Sequence, residues 1–419
     1  MPRWSAALLG AQLDLIGQRL GRFRSGYEGP NSLNPRGDAQ VSQAFGVYGG
    51  ARIGTRFSAY VDAEMVRGAG ISRAVGLGGP TNGDVIRQGS ADLGNGPYIA
   101  RAFVRYVMPL ARATSDILDR APDQMPEPVP AHRVEITAGK LAASDIFDLN
   151  RYSNSTRTQF MDWGLFQNIA WDFAADTRGY TNGIEMGYVT PGWAVRAGSF
   201  QMPTQANGNQ FDPDLARARG DNLELTVTPR KDGLTLRMLG FVNHARMGRY
   251  AAALAVGVEK DTAPNIAADD KPGRVKYGFG ANLEVPLADS GETGAFLRVG
   301  WNDGATESFA FAEVEHQLSG GVQFSGAHWS RTNDRFAVAF LLSGLGALHH
   351  QYLAAGGSGF LLGDGALNYS VEEILESYYR AQIGRFIQVS PDVQFIRNPG
   401  YNRDRGPALV ASLRVNVRY

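Results

Sequence analysis

Residues 408–419 read ALVASLRVNVRY. Leu409, Ala411, Leu413, Val415, Val417 and Tyr419 form one alternating set. Val410, Ser412, Arg414, Asn416 and Arg418 form the other. A period of two, apolar against mostly polar, is the pattern of a β-strand between two environments. An edge strand of a soluble sheet can alternate in the same way. The smooth aliphatic face, the two arginines opposite it and the final aromatic suit the closing strand of a membrane barrel. There one face meets lipid, the other meets water, and the aromatic sits at the interface.

Composition agrees with a barrel and narrows the function. Lysine plus arginine equals aspartate plus glutamate, 41 each. A nucleic-acid binder carries a basic excess, so that class is disfavoured. Hydrophobic residues make up 43%, and no run reaches the ~18 apolar residues that a spanning helix needs. The best candidate, 336–348, is interrupted by Ser343, Gly344 and Gly346. A barrel keeps an ordinary composition because only alternate residues touch lipid. The 52 glycines suit turns and close strand approach. The absence of cysteine removes disulfides, thiol catalysis and thiolate metal sites. Residues 1–10 lack the apolar core and cleavage site of a secretion signal. An exported protein needs one, so the leader is expected to have been removed or the start trimmed.

Strand-like segments recur along the chain, at 5–19, 44–53, 57–66, 99–108, 133–141, 183–189, 193–200, 221–228 and 234–244. They continue at 275–286, 294–302, 307–317, 322–329, 336–342, 370–383, 385–396 and 408–419. The segment at 370–383, SVEEILESYYRAQI, also fits an amphipathic helix with Ser370 as N-cap. Its strand-like neighbours favour a strand. A proline-rich insertion at 109–130 has no clear periodicity, and the aromatic, polar stretch 142–182 resists assignment. The total is about seventeen, and a bacterial single-chain barrel normally has an even number. One segment is therefore misread. The alternation of short turns and long loops slips between Ala245 and Arg335, which is where the error is expected. The predicted fold is all-β: a transmembrane antiparallel up-and-down β-barrel of about sixteen strands, eighteen at most, with long extracellular loops. Residues 1–419 are expected to form one outer-membrane barrel domain.

Five segments resemble carbohydrate-selective porins of the OprB family. They are DIFDLNRYSNSTRTQFMDWGL (145–165), WDFAADTRGYTNG (171–183), GWNDGATESFAFAEVE (300–315), HHQYLAAGGSGFLLGDGALNY (349–369) and SPDVQFIRNPGYNRDRGPALV (390–410). The resemblance extends over loops as well as strands. It implies a monomeric or homotrimeric barrel in the bacterial outer membrane that passes sugars passively. The insertion at 109–130 departs from the pattern, and its side of the membrane is open at this stage.

A sugar channel needs a narrow place, donors and acceptors that replace hydration water, and aromatic faces for the sugar ring. Alternation puts Asp62, Glu64, Arg101, Arg105, Glu135, Arg196, Glu224, Arg237, Arg298 and Glu376 on polar strand faces, with Glu372 beside Glu376. Most residues of such a wall only solvate it. Trp163 and Trp171 read either as stacking faces on an inward loop or as anchors for that loop. Asp176 and Arg178 read as a structural pair. His349-His350 lacks the partners of a metal site, and the glycine runs after it lack GxxxxGK[ST]. No cofactor or metal is expected. Expected partners are carbohydrate solutes, outer-membrane lipid and the barrel-assembly machinery, engaged through the strand ending at Tyr419. The alternatives are a general or differently selective porin, a soluble all-β protein, and a barrel lipid hydrolase. For the hydrolase, His316 and His328 near Ser325 are the only candidates, and their spacing gives no triad.

Overall fold

Hydrocarbon offers the backbone no hydrogen-bond partner, so strands can cross a membrane only when both edges of each are paired. The computed structural model shows that arrangement. Sixteen antiparallel strands close into a barrel, and two further short strands form a separate sheet. The structure describes residues 7–85, 93–94, 96–110, 115–121, 124–230 and 233–419. The expectations for residues 1–6, for 111–114 and 122–123 of the proline-rich insertion, and for 231–232 between two expected strands lie outside them.

The first strands are β1 (Ala7–Leu20), β2 (Asp38–Ile53), β3 (Phe57–Gly68) and β4 (Tyr98–Pro109). The small sheet is β5 (Ser115–Leu118) with β6 (Glu127–Pro130). The barrel resumes with β7 (Arg133–Leu141), β8 (Thr181–Val189), β9 (Trp193–Gln201), β10 (Arg219–Val227) and β11 (Thr235–Met247). It finishes with β12 (Lys271–Ala288), β13 (Thr293–Asn302), β14 (His316–Ser325), β15 (Arg335–Gly344), β16 (Glu372–Ile383), β17 (Ile387–Arg397) and β18 (Ala408–Arg418). Strand β1 pairs with β18 from Gln12↔Arg418 to Leu20↔Val410, which closes the ring.

The faces follow the alternation read in the sequence. On β18, Leu409 and Leu413 are 50% and 51% exposed to the outside, while Val410 and Arg414 are 0% and 1% exposed. On β3, Val61 points outward and Asp62 inward. Outer aromatics gather near the two ends of the wall. Phe386 lies 5.7 Å from Tyr419, and Tyr188 lies 5.4 Å from Trp193, both near short turns. Trp301 packs with Tyr277 and Phe279 towards the long-loop end. Such rings fit the two interfaces of a bilayer.

The segment at 370–383 is strand β16, not a helix. The expected miscount lies where the rhythm slipped. Residues 307–315 belong to a loop, and 316–325 are the single strand β14. Residues 318–321, the gap between the two segments expected at 307–317 and 322–329, are the middle of that strand. Gly321 sits opposite Phe296 and Ala339 in the ladder. A Cβ there would lie 2.5 Å from the Ala339 Cβ, so glycine serves close approach rather than a turn.

Short connections, such as 54–56, 190–192 and 384–386, lie at one end of the wall. The long ones, 21–37, 69–97, 142–180, 202–218, 248–270, 303–315, 345–371 and 398–407, lie at the other. Long loops face the cell exterior in barrels of this class. The β5–β6 insertion joins β4 to β7 at the short-turn end, so it is periplasmic. The interior holds apolar packing between the inward loop 142–180 and the wall. Phe160 lies 5.0 Å from Tyr378 and 5.9 Å from Phe296, and Phe147 packs edge-on against Trp171 and Phe200.

Candidate functional site

The stretch that resisted assignment, 142–180, is an ordered loop folded into the barrel. Its turns are capped by its own polar side chains. Asp145 accepts from Ala142 N at 3.1 Å, Asp162 from Gly164 N at 2.9 Å, and Asn168 from Ala170 N at 3.1 Å. Asp176 Oδ1 accepts from Arg178 N at 2.9 Å and Tyr180 N at 3.1 Å. Asp176 thus holds the loop through backbone amides, and the Arg178 guanidinium lies over Tyr98, 4.5 Å from the ring centre. Asx caps of this kind fold a chain that has no strand or helix partner.

Inward side chains from the wall then fix the loop's position. Arg298 Nε reaches both carboxylate oxygens of Asp148, at 2.9 and 3.0 Å. Glu224 accepts from Asp148 N at 2.7 Å. Gln317 accepts from Ile169 N and donates to Gly164 O. Trp171 Nε1 donates to Asn222 at 2.9 Å. Lys276 pairs with Asp172 at 3.1 Å. Glu376 accepts from Met161 N and Asp162 N, at 2.5 and 3.0 Å. Burial, reinforced by the nearby Glu376 and Glu372, pushes the Asp162 carboxyl well above the usual carboxylate range. A second inward segment, 76–85, packs on the first. Gln18 and Gln394 both donate to Thr81 O, and Gly83 N donates to Met161 O at 3.0 Å.

Among the described residues, two cavities beside the loop share Asp145 in their lining. The first, of ≈ 430 Å³, lies beside β1–β4. Arg101 makes a two-pronged contact with Asp145, at 2.6 and 2.7 Å, and reaches Asp62 at 3.3 Å. Arg157, from the loop, pairs with Asp84 at 2.8 Å and Glu64 at 3.1 Å. Burial opposes the Arg157 charge, but Asp84 and Glu64 outweigh it and hold the guanidinium above its ordinary range. Glu64 also accepts from Tyr180 and Tyr98 hydroxyls. Trp163 stacks on Phe311 with centroids 4.8 Å apart, and Phe173 lies 5.1 Å from Phe311.

The second cavity, of ≈ 370 Å³, lies below the loop beside β4 and β7–β11. Arg105, Glu135, Arg196, Glu224 and Arg237 all line it. Glu135 takes Arg133 and Arg196, each at 2.9 Å, and Arg237 reaches Glu284 at 3.2 Å.

Of the residues singled out from sequence, Asp62, Glu64, Arg101 and Trp163 come together at the first cavity. Arg105, Glu135, Arg196, Glu224 and Arg237 come together at the second. Trp171, Arg298 and Glu376 line neither. All three are buried, at 2%, 0% and 0% exposure: Trp171 is on the loop and ties it to Asn222, while Arg298 and Glu376 lie on the wall under it. Strand alternation had marked Arg298 and Glu376 as inward, and inward here means under the loop. Sequence reasoning missed Arg157, Asp84, Tyr98, Tyr180 and Phe311. Most of these lie in connections, where no periodicity points to a face. Of the metal and enzyme candidates, His349 pairs with Glu315 at 2.9 Å. His328 pairs with Asp289 at 3.0 Å, and Ser325 caps Ala327 N. No group of metal-ligating side chains occurs among the described residues.

A family model described as "Carbohydrate-selective porin, OprB family" matches residues 56–419. The chain belongs to that family. The porin is similar in fold to the high-pH structure of Pseudomonas putida OprB, with a TM-score of 0.73 at 14% identity, over 99% of this chain and 94% of that one. It is also similar to the outer membrane channel DcaP of Acinetobacter baumannii, with a TM-score of 0.51 at 8% identity, over 99% and 97% of the two chains. No curated protein matches it. This carbohydrate-selective porin therefore sits in the bacterial outer membrane and is a passive channel.

Proposed function

We propose that sugars cross this porin through the two cavities in turn, with the narrow place at the first. The observation that carries the reading is a juxtaposition. Trp163, backed by the buried Phe311 and Phe173, presents an aromatic side chain beside Arg101, Arg157, Asp62, Glu64 and Asp84. Aromatic faces pack on the apolar side of a pyranose ring. Fixed donors and acceptors replace the water that its hydroxyls shed. Both signs of charge alternate around the cavity, which suits an uncharged, hydroxyl-rich solute better than an ion of one sign. Arg105, Glu135, Arg196, Glu224 and Arg237 continue the polar track below. The route requires no cofactor and performs no chemistry. The barrel assembles through recognition of β18 by the barrel-assembly machinery, and works as a monomer or homotrimer.

The test is single-channel conductance in a planar bilayer with sugars added in turn. Glucose or a short oligosaccharide should interrupt the open current in a concentration-dependent way. Steps that no sugar perturbs would leave the channel and remove the binding constriction. Folded protein that gives no steps would remove the channel reading.

A further inference from the structure

The connection between β4 and β7 is far longer than the barrel requires. The two strands already meet at Pro109↔Arg133, and Leu110 N donates to His132 O at 3.0 Å. A two-residue turn closes a hairpin of this kind. The described residues between them, 115–121 and 124–131, instead include the separate β5–β6 sheet.

The excursion does not hang free in the periplasm. Met125 is 0% exposed and packs in one apolar cluster with Tyr60 and Phe103 of the inner wall. Met125 N donates to the Tyr60 hydroxyl at 3.4 Å. Gln124 accepts from Arg105, and Glu127 pairs with Arg52. Arg120 donates to Leu9 O at 2.5 Å and Tyr419 O at 3.3 Å. These partners lie on β4, β3, β2 and β1 and just past β18, so the insertion spans from its root to the seam where the barrel closes. Ala121 lines the first cavity, while Leu118 and Gln124 line the second. The insertion therefore stands between the two cavities at their periplasmic end.

We propose that residues 115–121 and 124–131 form a second selectivity element, which narrows the periplasmic exit and sets the largest solute that leaves. The inference rests on the reading of the lumen as a solute path. A spacer with no role in the lumen would not bury Met125 among pore-wall aromatics. Nor would it place a carboxylate on Arg52 and an amide on Arg105. The insertion fills cross-section and offsets positive charge at the exit, and both act on what passes.

The experiment replaces 111–131 with Asn-Gly and compares single-channel conductance, reversal potential and liposome swelling with the parent. Conductance is expected to rise about two-fold, in proportion to the opened cross-section. Longer malto-oligosaccharides that the parent excludes should enter, and selectivity should move towards anions once Glu127 is gone. A conducting parent matched by the variant in conductance and size limit would overturn the proposal alone. A parent without steps would overturn the channel reading and this inference with it. If the variant does not fold, Leu118→Cys in this cysteine-free chain gives the second readout. A bulky thiol reagent should lower its current stepwise. Complete labelling with unchanged current would overturn the proposal.

Discussion

The Arg298 guanidinium, on wall strand β13, grips both carboxylate oxygens of Asp148, on the inward loop, at 2.9 and 3.0 Å. Both side chains are buried. The same arginine donates to Ser153 O and Leu165 O, and Asp148 also accepts from Asn282 and Asn168 N. The cost of burying both charges is offset because nearly every polar atom of the pair has a partner. This ion pair and its hydrogen bonds are thus one of the main ties between the inward loop and the wall.

Arg298→Met should therefore loosen the loop while leaving the barrel intact, since the β12–β13–β14 ladder uses only backbone groups. An orphaned buried carboxylate costs about 3–5 kcal/mol. The open channel should become noisier, and the sugar-blocked state should shorten. Adding Asp148→Asn should recover part of the loss, because the two residues act as a pair. Noise and block equal to the parent would contradict this assignment.

Arg101 has a different place, at the edge of the first cavity between Asp62 and Asp145. Arg101→Gln leaves Asp62 and Asp145 without that cation at the first cavity. The reversal potential should shift towards cations. Sugar block should weaken roughly tenfold, the size expected for losing one charge-assisted hydrogen bond to solute. Bilayer recordings in a salt gradient, with and without glucose, read both. An unchanged reversal potential would place Arg101 outside the ion path.

The wall was legible in the sequence because lipid on one side and water on the other impose a period of two. Phe57 to Glu64 shows it residue by residue, and Asp62 and Glu64 face inward as expected. Alternation does not report what fills the interior, so Arg298, Glu376 and Arg101 looked alike. The first two lie under the loop, and Arg101 lines the cavity. Arg157 and Asp84 were illegible because their positions depend on how two long connections pack on each other. Gly320-Gly321 misled because glycine marks turns and close strand contacts equally.

That last point is testable by substitution. Gly321→Val would set a Cβ 2.5 Å from the Ala339 Cβ and 2.6 Å from Val338 O, inside the ladder. Overpacking of this kind costs about 1–3 kcal/mol. The variant should fold in lower yield and lose its compact, heat-modifiable gel migration at a lower temperature. Gly17→Ala, where a Cβ meets nothing within 4 Å, is the matched control and should behave as the parent. Equal behaviour of the two variants would mean that β14 is not paired as described.

The outer loops carry a pH response. Glu307 Oε1 accepts from Gly248 N at 2.6 Å, and Glu307 N donates to Gly248 O at 3.0 Å, so this residue ties 303–315 to 248–270. Burial is the main force that pushes the Glu307 carboxyl up to about 8; the Gly248 bond opposes it, and the neighbouring Asp270 carboxylate adds to it. Arg246 and Arg274 draw Asp270 the other way, as Lys276 does for Glu307. The folded-state value lies above the ordinary 4.5, so folding favours the protonated acid. Its stabilisation is complete below 4.5 and is lost as pH rises through about 8. Above that, two facing carboxylates repel, and the tie between the loops should weaken. Hydrogen exchange at the Gly248 and Glu307 amides, corrected for intrinsic rate against a strand amide, should therefore accelerate between neutral and alkaline pH. Glu307→Gln holds the neutral shape and should remove that acceleration. The same pH dependence in the variant would assign the response to another group.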